Sequence, residues 1–225
     1  AVYGTMPFLE KHNIKPDVIV QYDEGDVGVY DTILELKDIS FFKDTFFLFS
    51  SHLDEKIYNS FNKENIYVFQ AMFKAKERLG SLTSPSVGEM AFVLSVILGF
   101  RKIFMLGIDM SLDPETGKSH YDGYISNEAT KEKEELSNEV FSFRKNIIPI
   151  KGNFLEEVKT LPLYMTSIRQ LESHIKDLRN KVSLDIYNFS NGAFFQGTLP
   201  YKTEEYKNLE NINSKKSLYK SIKNY

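Results

Sequence analysis

The stretch Ile103-Phe-Met-Leu-Gly-Ile-Asp109 decides the fold. Its first four residues are all apolar, which is typical of a strand that a parallel sheet buries on both faces. Just upstream, apolar residues recur three or four positions apart from Ser86 to Leu98, which predicts a deeply buried helix. Gly99 follows the last apolar position and predicts the end of that helix. A helix that leads directly into a buried strand is the repeating part of a βαβ unit.

The same alternation of strand and helix patterns covers residues 1–150. The candidate strands are Ala1–Tyr3, Asp17–Tyr22, Phe46–Phe49, Ile66–Phe69, Ile103–Leu106 and Asn146–Ile150. Strands that alternate with helical segments favour a parallel sheet. We therefore predict an α/β fold, with a Rossmann-like, mostly parallel sheet that carries helices on both faces.

We place a domain boundary near residue 150. Residues 1–150 would form the Rossmann-like core, and residues 151–225 a helical C-terminal extension with a short strand and a turn. The clearest element of the extension is an amphipathic helix predicted over Leu161–Arg179. The first residues, Ala1–Tyr3, resemble the end of a strand, so we expect the core to lack its first strand.

Composition excludes several classes of protein. The net charge is −3, whereas nucleic-acid-binding proteins usually carry a basic excess, so we expect no nucleic-acid partner. The sequence has no cysteine, which excludes disulfides, thiolate metal sites and cysteine nucleophiles. The longest apolar run, Met90–Leu98, is too short to cross a bilayer, and the first residues lack the pattern of a secretion signal. These features predict a cytoplasmic protein without a membrane span.

Polar residues at a predicted strand end and a predicted helix start form two candidate sites. Asp23 follows the apolar strand that begins at Asp17, and ligands of open parallel sheets bind outside such carboxyl ends. Asp23 could bind ribose hydroxyls, or it could cap the next helix. Ser84 and Ser86 stand at the start of the helix, where free N–H groups favour a phosphate or carboxylate. Ordinary helix capping explains these two serines equally well.

The third candidate site follows the strand quoted first. Gly107 and Asp109 lie at its predicted carboxyl end, and a polar loop then carries Ser119, His120 and Tyr121. Catalytic groups concentrate in loops beyond strand ends, and an imidazole with an ordinary pKa of about 6.5 suits a general base. His120 is therefore the candidate base, although a histidine in such a loop can also be purely structural.

These groups together predict one nucleotide site. We expect the nucleotide to lie across the strand ends at Asp23 and at Gly107 and Asp109, against the helix start at Ser84 and Ser86. The reason is that polar groups at strand ends converge beside a helix N-terminus in this class of fold.

No sequence pattern points to a metal or to a P-loop. Nucleotide-sugar transferases that use a metal usually hold it through an Asp-x-Asp pair, and the spacing of Asp109 and Asp113 does not fit that pattern. The run Gly117-Lys-Ser119 lacks the remainder of a phosphate-binding P-loop. We therefore predict no metal site and no cofactor.

Four stretches, taken in order, resemble the motility accessory factor family of flagellar glycosyltransferases. They are Gly4–Leu9 with Ile14–Asp23, Ser86–Val87 with Leu98–Asp109 and Ser119–His120, Gly152–Asn153 with Val158–Thr160, and Ile186–Gly197. The chain departs from the family in one respect. Family members carry a glycine-rich turn that helps to hold the nucleotide, and this sequence starts after the corresponding position. A protein without that turn is expected to bind the donor more weakly.

The second of these stretches is also similar to bacterial sialyltransferases that use CMP-sialic acid. Those enzymes share the pattern Leu-Gly-aromatic, an apolar strand, Gly-Ile-Asp and then Ser-His-Tyr, whose histidine is their catalytic base. The resemblance assigns that role to His120. It also implies that Ser119, Tyr121 and Tyr124 contact the donor or its leaving group.

The resemblance implies an inverting, metal-independent glycosyltransferase. The donor would be a CMP-activated nonulosonic acid of the pseudaminic or legionaminic type, and the acceptor a Ser or Thr hydroxyl of flagellin. CMP carries a single phosphate, so hydroxyl groups such as those of Tyr121 and Tyr124 would suffice to stabilise it as it leaves. Two alternatives stay open. One is a pterin diphosphokinase-like enzyme that needs ATP and Mg²⁺, and the other is a non-catalytic flagellin-binding assembly factor that uses the helix Leu161–Arg179.

Overall fold

The structure is a computed structural model, and it describes residues 1–22, 29–71, 82–119 and 147–202. Contacts divide these residues into two compact units, one from Ala1 to Ala91 and one from Phe92 onward. Among the residues so described, no helix is both long enough and apolar enough to cross a lipid bilayer.

The first unit is built on a three-stranded parallel sheet. Its strands are β1 (Val18–Gln21), β2 (Phe46–Ser50) and β3 (Ile66–Phe69), hydrogen-bonded in that order. Its first three helices are α1 (Met6–Lys11), α2 (Val29–Leu34) and α3 (Glu55–Asn59). All residues of the central strand β2 are buried, as predicted for an apolar run that is covered on both faces.

Phenylalanine dominates the core of the first unit. Phe47 and Phe49 lie on the same face of β2, because alternate residues of a strand share a face. They belong to a buried cluster of Tyr3, Met6, Ile19, Phe42, Phe47, Phe49 and Ile57. The ring of Phe61 lies 4.2 Å from that of Phe47 and 5.9 Å from that of Phe49, measured between centroids. Burial of these large rings is the main contribution to the stability of this sheet.

The strand predicted over Ala1–Tyr3 is reduced to a single bridge. Val2 pairs with Val20 in parallel, and the chain then forms a 3₁₀ helix over Tyr3–Thr5. The Thr5 hydroxyl donates to the Val2 carbonyl at 2.6 Å, and α1 follows directly with a proline in its first turn. These helix-favouring contacts end the extended segment after one paired residue.

α4 (Val87–Ile97) confirms the buried helix predicted over residues 86–98. It ends before Gly99, whose φ of 96° is a left-handed conformation that favours glycine. Met90 and Leu94 are buried, as the apolar spacing predicts. Ile97 also belongs to the apolar pattern, but its side chain is 43% exposed. The apolar pattern of the sequence is therefore longer than the buried face of the helix.

The second unit combines a parallel sheet with an antiparallel hairpin. In chain order its elements are β4 (Lys102–Met105), β5 (Ile148–Lys151), β6 (Glu157–Thr160), α5 (Pro162–Arg179), β7 (Asp185–Asn188) and β8 (Leu199–Pro200). β4, β7 and β8 lie side by side and parallel, whereas β5 and β6 form the hairpin.

The core of the second unit forms around α5. Ile168, Leu171 and Ile175 are spaced three and four residues apart, so they line one face of the helix, and all three are buried. They pack with Ile186 of β7 and with the part of α4 from Phe92 onward. The amphipathic helix predicted over residues 161–179 is therefore confirmed.

The predicted fold class is confirmed, because the chain forms parallel sheets flanked by helices. The described strands form two parallel sheets rather than one, since β4 pairs with β7. β7, which the sequence placed in an extension, is the hydrogen-bonded neighbour of β4. The domain boundary near residue 150 stays a prediction.

Candidate functional site

The best-defined polar site of the second unit lies at the carboxyl ends of β4 and β7. The two strands are parallel neighbours, so the segments that leave them emerge at the same edge of the sheet. This edge is where ligands bind in open parallel sheets. Asp109 belongs to the segment after β4, and Ser190 to the segment after β7.

Close main-chain contacts hold these two segments together. The Ala193 N–H donates to the Asp109 carbonyl at 2.8 Å. Gly192 approaches so closely that a Cβ atom on it would lie 2.2 Å from the Asp109 carbonyl oxygen, so only glycine fits. Gly107 has a different role. Its φ is 73°, and a Cβ atom there would meet nothing within 4 Å, so this glycine is required for its conformation alone.

Two asparagines fix the turn after β7. The side-chain amide of Asn153 donates to the carbonyls of Asn188 at 3.0 Å and of Ser190 at 2.9 Å, and its main-chain N–H donates to the Gly192 carbonyl at 2.9 Å. The Asn188 side chain is bonded at both ends. Its Nδ2 donates to the Ala193 carbonyl, and its Oδ1 accepts from the Ser190 N–H. Since all these bonds are buried, the turn is rigid.

Oxygen atoms predominate among the side chains of this edge. Burial raises the pKa of the Asp109 carboxyl, the nearby Ser190 hydroxyl and Gly192 N–H act in the opposite direction, and the Asp113 carboxylate raises it further. Ser190 Oγ and Asn153 Oδ1 are buried, and neither accepts a hydrogen bond from the described residues. The edge therefore offers acceptors of hydrogen bonds to a ligand.

The loop that follows β4 is fixed at two further points. Met110 has a φ of 46°, which is uncommon for a residue with a Cβ atom, and its carbonyl accepts from Thr160 Oγ1 at 2.7 Å. The Asp113 carboxylate accepts from the N–H and the hydroxyl of Thr116 at 2.7 and 2.8 Å, and these bonds lower the pKa of Asp113. The chain thus reaches Ser119, which is half-buried, through a well-fixed turn.

Hydroxyl groups cluster at the start of α4 in the first unit. Ser86 Oγ accepts from the Glu89 N–H at 3.3 Å, and Ser84 Oγ accepts from the Ser86 N–H at 3.3 Å. The Ser84 N–H donates to the Tyr22 hydroxyl at 3.2 Å, which ties the helix start to the carboxyl end of β1. Ser86 therefore caps the helix, and Ser84 is bonded to the main chain of this capping residue. That they also bind an anion stays a prediction.

Glu89 is fully buried in the first turn of α4. Burial raises the pKa of its carboxyl to about 7, and the Ser84 hydroxyl offsets this only in part. Ser84 has a single hydroxyl proton, which it donates to the Ser86 carbonyl at 2.9 Å, so the effect of burial prevails. A carboxyl group with a pKa near 7 changes its charge around neutral pH, which is a property of many functional sites.

The described ranges contain only part of the predicted site. Ser84 and Ser86 lie in the first unit, and Gly107, Asp109 and Ser119 lie in the second. Asp23, the predicted base His120, and the predicted donor contacts Tyr121 and Tyr124 lie outside the described residues. The single nucleotide site that would combine all of these residues stays a prediction.

Metal ligands are not grouped in the part of the chain that the structure describes. No three His, Asp or Glu side chains come together there so as to hold a metal ion. The expectation that the protein needs neither metal nor cofactor stays a prediction.

Sequence reasoning missed three polar residues of these sites. Ser190 follows β7 as Asp109 follows β4, so the rule that ligands bind at strand ends could have found it. Asn153 lies two residues after β5 and carries no comparable signal. The burial of Glu89 is also unmarked, because a glutamate at the third position of a helix ordinarily caps the helix from the surface.

The chain matches a known family over residues 1–115, just over half of its 225 residues. The family is described as 6-hydroxymethylpterin diphosphokinase MptE-like. The match covers the first unit and continues through α4, β4 and Asp109. No curated protein matches the chain.

A solved structure, that of the MAf glycosyltransferase from Magnetospirillum magneticum AMB-1, is similar over 99% of this chain. The TM-score is 0.72 and the sequence identity is 16%. This chain covers 32% of that protein, so it spans about a third of its length. The likeness confirms, at the level of the fold, the resemblance to motility accessory factor glycosyltransferases that the sequence showed.

Proposed function

Because the chain belongs to the 6-hydroxymethylpterin diphosphokinase MptE-like family and shares its fold with a glycosyltransferase, we propose that it transfers a glycosyl group from an activated donor. The proposed donor is a CMP-activated nonulosonic acid of the pseudaminic or legionaminic type. The proposed acceptor is a Ser or Thr hydroxyl of flagellin. The reaction takes place in the cytoplasm and uses neither a metal nor a cofactor.

The observation that carries this proposal is the likeness to the MAf glycosyltransferase over 99% of the chain. The two polar sites add support of a chemical kind. The N–H groups and hydroxyls at the start of α4 suit a phosphate, and the acceptors at the β4 and β7 ends suit a group that carries hydroxyls. The choice of CMP rests on the resemblance of the sequence to sialyltransferases, and the choice of sugar on its resemblance to the motility accessory factor family.

In the proposed reaction, the acceptor oxygen attacks the anomeric carbon of the sugar from the side opposite to CMP. A bond forms between these two atoms while the bond from that carbon to the phosphate oxygen breaks, so the configuration inverts. The acceptor proton passes to His120, which acts as general base. The phosphate of CMP keeps the electron pair of the broken bond, and hydrogen bonds from Ser119, Tyr121 and Tyr124 stabilise it.

The description of the family favours a second candidate, a pterin diphosphokinase. Such an enzyme would transfer a diphosphate from ATP, held with Mg²⁺, to the hydroxymethyl group of a pterin. The family match ends at residue 115, whereas the likeness to the glycosyltransferase continues over the rest of the chain, and this favours the transferase. A third possibility is a non-catalytic factor that binds flagellin through α5.

Isothermal titration calorimetry on the whole chain separates these candidates. CMP, ATP with Mg²⁺, 6-hydroxymethylpterin and flagellin are titrated separately. We expect CMP to bind. Binding of ATP and the pterin without CMP would replace the transferase with the kinase, and binding of flagellin alone would favour the assembly factor. Incubation with flagellin and a CMP-nonulosonic acid, followed by intact-mass spectrometry, then tests the transfer itself.

A further inference from the structure

Two buried oxygen atoms in the second unit stand out because they accept no hydrogen bond. They are Ser190 Oγ and Asn153 Oδ1, and this holds for the described part of the chain. Ser190 is 3% exposed and Asn153 is 7% exposed. Buried polar atoms in folded proteins are almost always paired. Two buried oxygen atoms that lack a donor, one after β5 and one after β7, therefore indicate that a hydrogen-bond donor from outside the described residues completes this site.

The orientation of the Asn153 amide is fixed by its surroundings. Its Nδ2 faces two acceptors, the carbonyls of Asn188 and Ser190. A rotation of the amide by half a turn would bring Oδ1 against these same two carbonyls and would lose both bonds. The unpaired atom is therefore the carbonyl oxygen. Asn188, a buried asparagine at the end of β7, provides a contrast because it has partners at both ends of its side chain.

The turn has little freedom to satisfy these atoms by moving. Gly192 packs against the main chain of Asp109 too closely for any side chain, and the Ala193 N–H bonds to the Asp109 carbonyl. The main-chain N–H groups of Asn153 and Ser190 are also bonded. A rigid turn that keeps acceptors unpaired is preorganised for a ligand that brings donors.

The charge of the site selects the chemistry of that ligand. The Asp109 carboxyl lies beside the Ser190 hydroxyl, and within the described ranges the charge that acts on it is a second carboxylate, that of Asp113. Two carboxylates repel a phosphate. A carboxylate at the end of a parallel strand is instead a common partner for ribose hydroxyls, which donate hydrogen bonds and carry no charge.

The geometry points to a subsite formed by Asp109, Ser190 and Asn153 that binds the vicinal hydroxyls of a ribose. The Asp109 carboxylate and Asn153 Oδ1 accept hydrogen bonds, and the Ser190 hydroxyl can either accept or donate one. This inference rests on the proposed function, because it assigns part of the nucleotide site. It nevertheless applies to the ribose of CMP and of ATP alike, so it can be tested separately from the choice of nucleotide.

The test compares nucleotides that differ only in the groups in question. CMP, 2′,3′-dideoxyCMP and UMP are titrated into the whole chain by calorimetry. We expect dideoxyCMP to bind about 10- to 100-fold more weakly than CMP, because it lacks the donors for a carboxylate. UMP should bind as CMP does. The opposite result would be that CMP binds more tightly than UMP while dideoxyCMP binds as tightly as CMP. The oxygen acceptors would then bind the amino group of cytosine, and the inference would be overturned.

A matched pair of variants localises the effect. Ser190→Ala should weaken CMP binding about 2- to 10-fold and leave dideoxyCMP binding unchanged, since one hydrogen bond is lost. Ser167→Ala removes another buried serine hydroxyl of the same unit, on α5, and should change neither affinity. Equal losses in the two variants would show that the effect of Ser190→Ala is one of packing.

NMR of the unaltered chain keeps the inference testable if Ser190→Ala does not fold. The side-chain amide signals of Asn153 should shift on addition of CMP and should not shift on addition of dideoxyCMP. If CMP does not bind, the proposed function fails, and the same comparison is made with ATP and 2′,3′-dideoxyATP. Affinity that does not depend on the ribose hydroxyls, or no binding of any nucleotide, would overturn the subsite.

Discussion

The two polar sites differ in which hydrogen-bonding groups they leave available. At the start of α4, the first helical N–H groups have no partner within the helix, and Ser86 satisfies only that of Glu89. At the ends of β4 and β7, the N–H groups of Asn153, Ser190 and Ala193 are already bonded. The groups that stay available there are side-chain oxygen atoms, which accept hydrogen bonds.

This difference shows that the position of a polar residue at a sheet edge does not define its chemistry. The helix start offers N–H and hydroxyl groups and suits an anion. The edge of the second unit offers a carboxyl group and unpaired oxygens and suits a neutral donor of hydrogen bonds. Which of the two ligand types a site suits depends on which main-chain N–H groups are already hydrogen-bonded within the protein. These hydrogen bonds cannot be identified from the sequence.

The largest expected effect concerns a residue that belongs to neither binding site. If His120 is the base, His120→Ala should lower turnover about 10²- to 10⁴-fold and leave CMP affinity unchanged. His120→Asn keeps a hydrogen-bonding group without basicity and should be almost as slow. Transfer to flagellin measured by mass spectrometry, together with calorimetry for CMP, checks both statements.

Two other results would change this assignment. Near-normal transfer by His120→Ala would remove the residue from the mechanism. A joint loss of thermal stability and CMP affinity would show that His120 only holds its loop in place.

The rigidity of the second site is tested by a pair of glycine variants. Gly192→Ala should lower the free energy of unfolding by about 3 kcal/mol or prevent folding, because its Cβ atom would lie 2.2 Å from a main-chain oxygen. Gly107→Ala meets no atom within 4 Å and should cost only about 1–2 kcal/mol for its left-handed conformation. Urea denaturation measures both. Equal costs would mean that the contact at Gly192 relaxes easily and that the turn is not preorganised.

The buried carboxyl group of the first unit predicts a pH dependence of stability. Burial raises the pKa of Glu89 from its ordinary 4.5 to about 7, so the folded protein holds this proton more tightly than the unfolded chain does. Stability that is present below about pH 4.5 is therefore lost as the pH rises through about 7. The loss is on the order of 1–3 kcal/mol.

Glu89→Gln removes this dependence, because an amide stays neutral. The variant should match the unaltered chain at low pH and exceed it in stability at high pH, as measured by urea denaturation across the range. A variant that is less stable than the unaltered chain at high pH would show that the ionised carboxylate has a stabilising partner.

The smallest expected effect tests the two polar sites one at a time. Ser86→Ala removes the cap of the Glu89 N–H and should cost about 1 kcal/mol of stability. It should also weaken CMP binding a few-fold while leaving cytidine, which has no phosphate, unaffected. Ser190→Ala should weaken both ligands, because both carry the ribose. Calorimetry with the two ligands gives the comparison, and identical profiles for the two variants would remove the distinction between the sites.

Local patterns in the sequence were sufficient for most elements of the fold. The bounds of β3 agree with the prediction residue by residue, and α5 begins one residue after the predicted start, because periodicity reflects short-range contacts. The pairing of β4 with β7 could not be predicted in this way. It depends on residues far apart in the chain, and an apolar run does not specify its partner.

Site residues could be predicted only where they directly follow a predicted strand, because ligands bind at the carboxyl ends of strands in this class of fold. Asp109 was found because it directly follows a strongly apolar strand. Ser190 lies at the equivalent place after β7, whose Asp185-Ile-Tyr-Asn188 pattern is much less apolar. Asn153 acts through its side-chain contacts with another segment of the chain, and these depend on the packing of the hairpin beside the turn after β7.

The pairing of β4 with β7 also sets an order of events during synthesis. The strands of the first sheet are complete once residue 69 has been added. In the second unit, Lys102 of β4 pairs with Asp185 of β7, which lies about 80 residues after Lys102 in the chain. At roughly 5–20 residues per second, the apolar strand β4 waits roughly 4–16 s for β7. An apolar strand without its partner strand is prone to aggregation. We therefore expect the nascent chain to depend on chaperones during the time between the synthesis of β4 and the synthesis of β7.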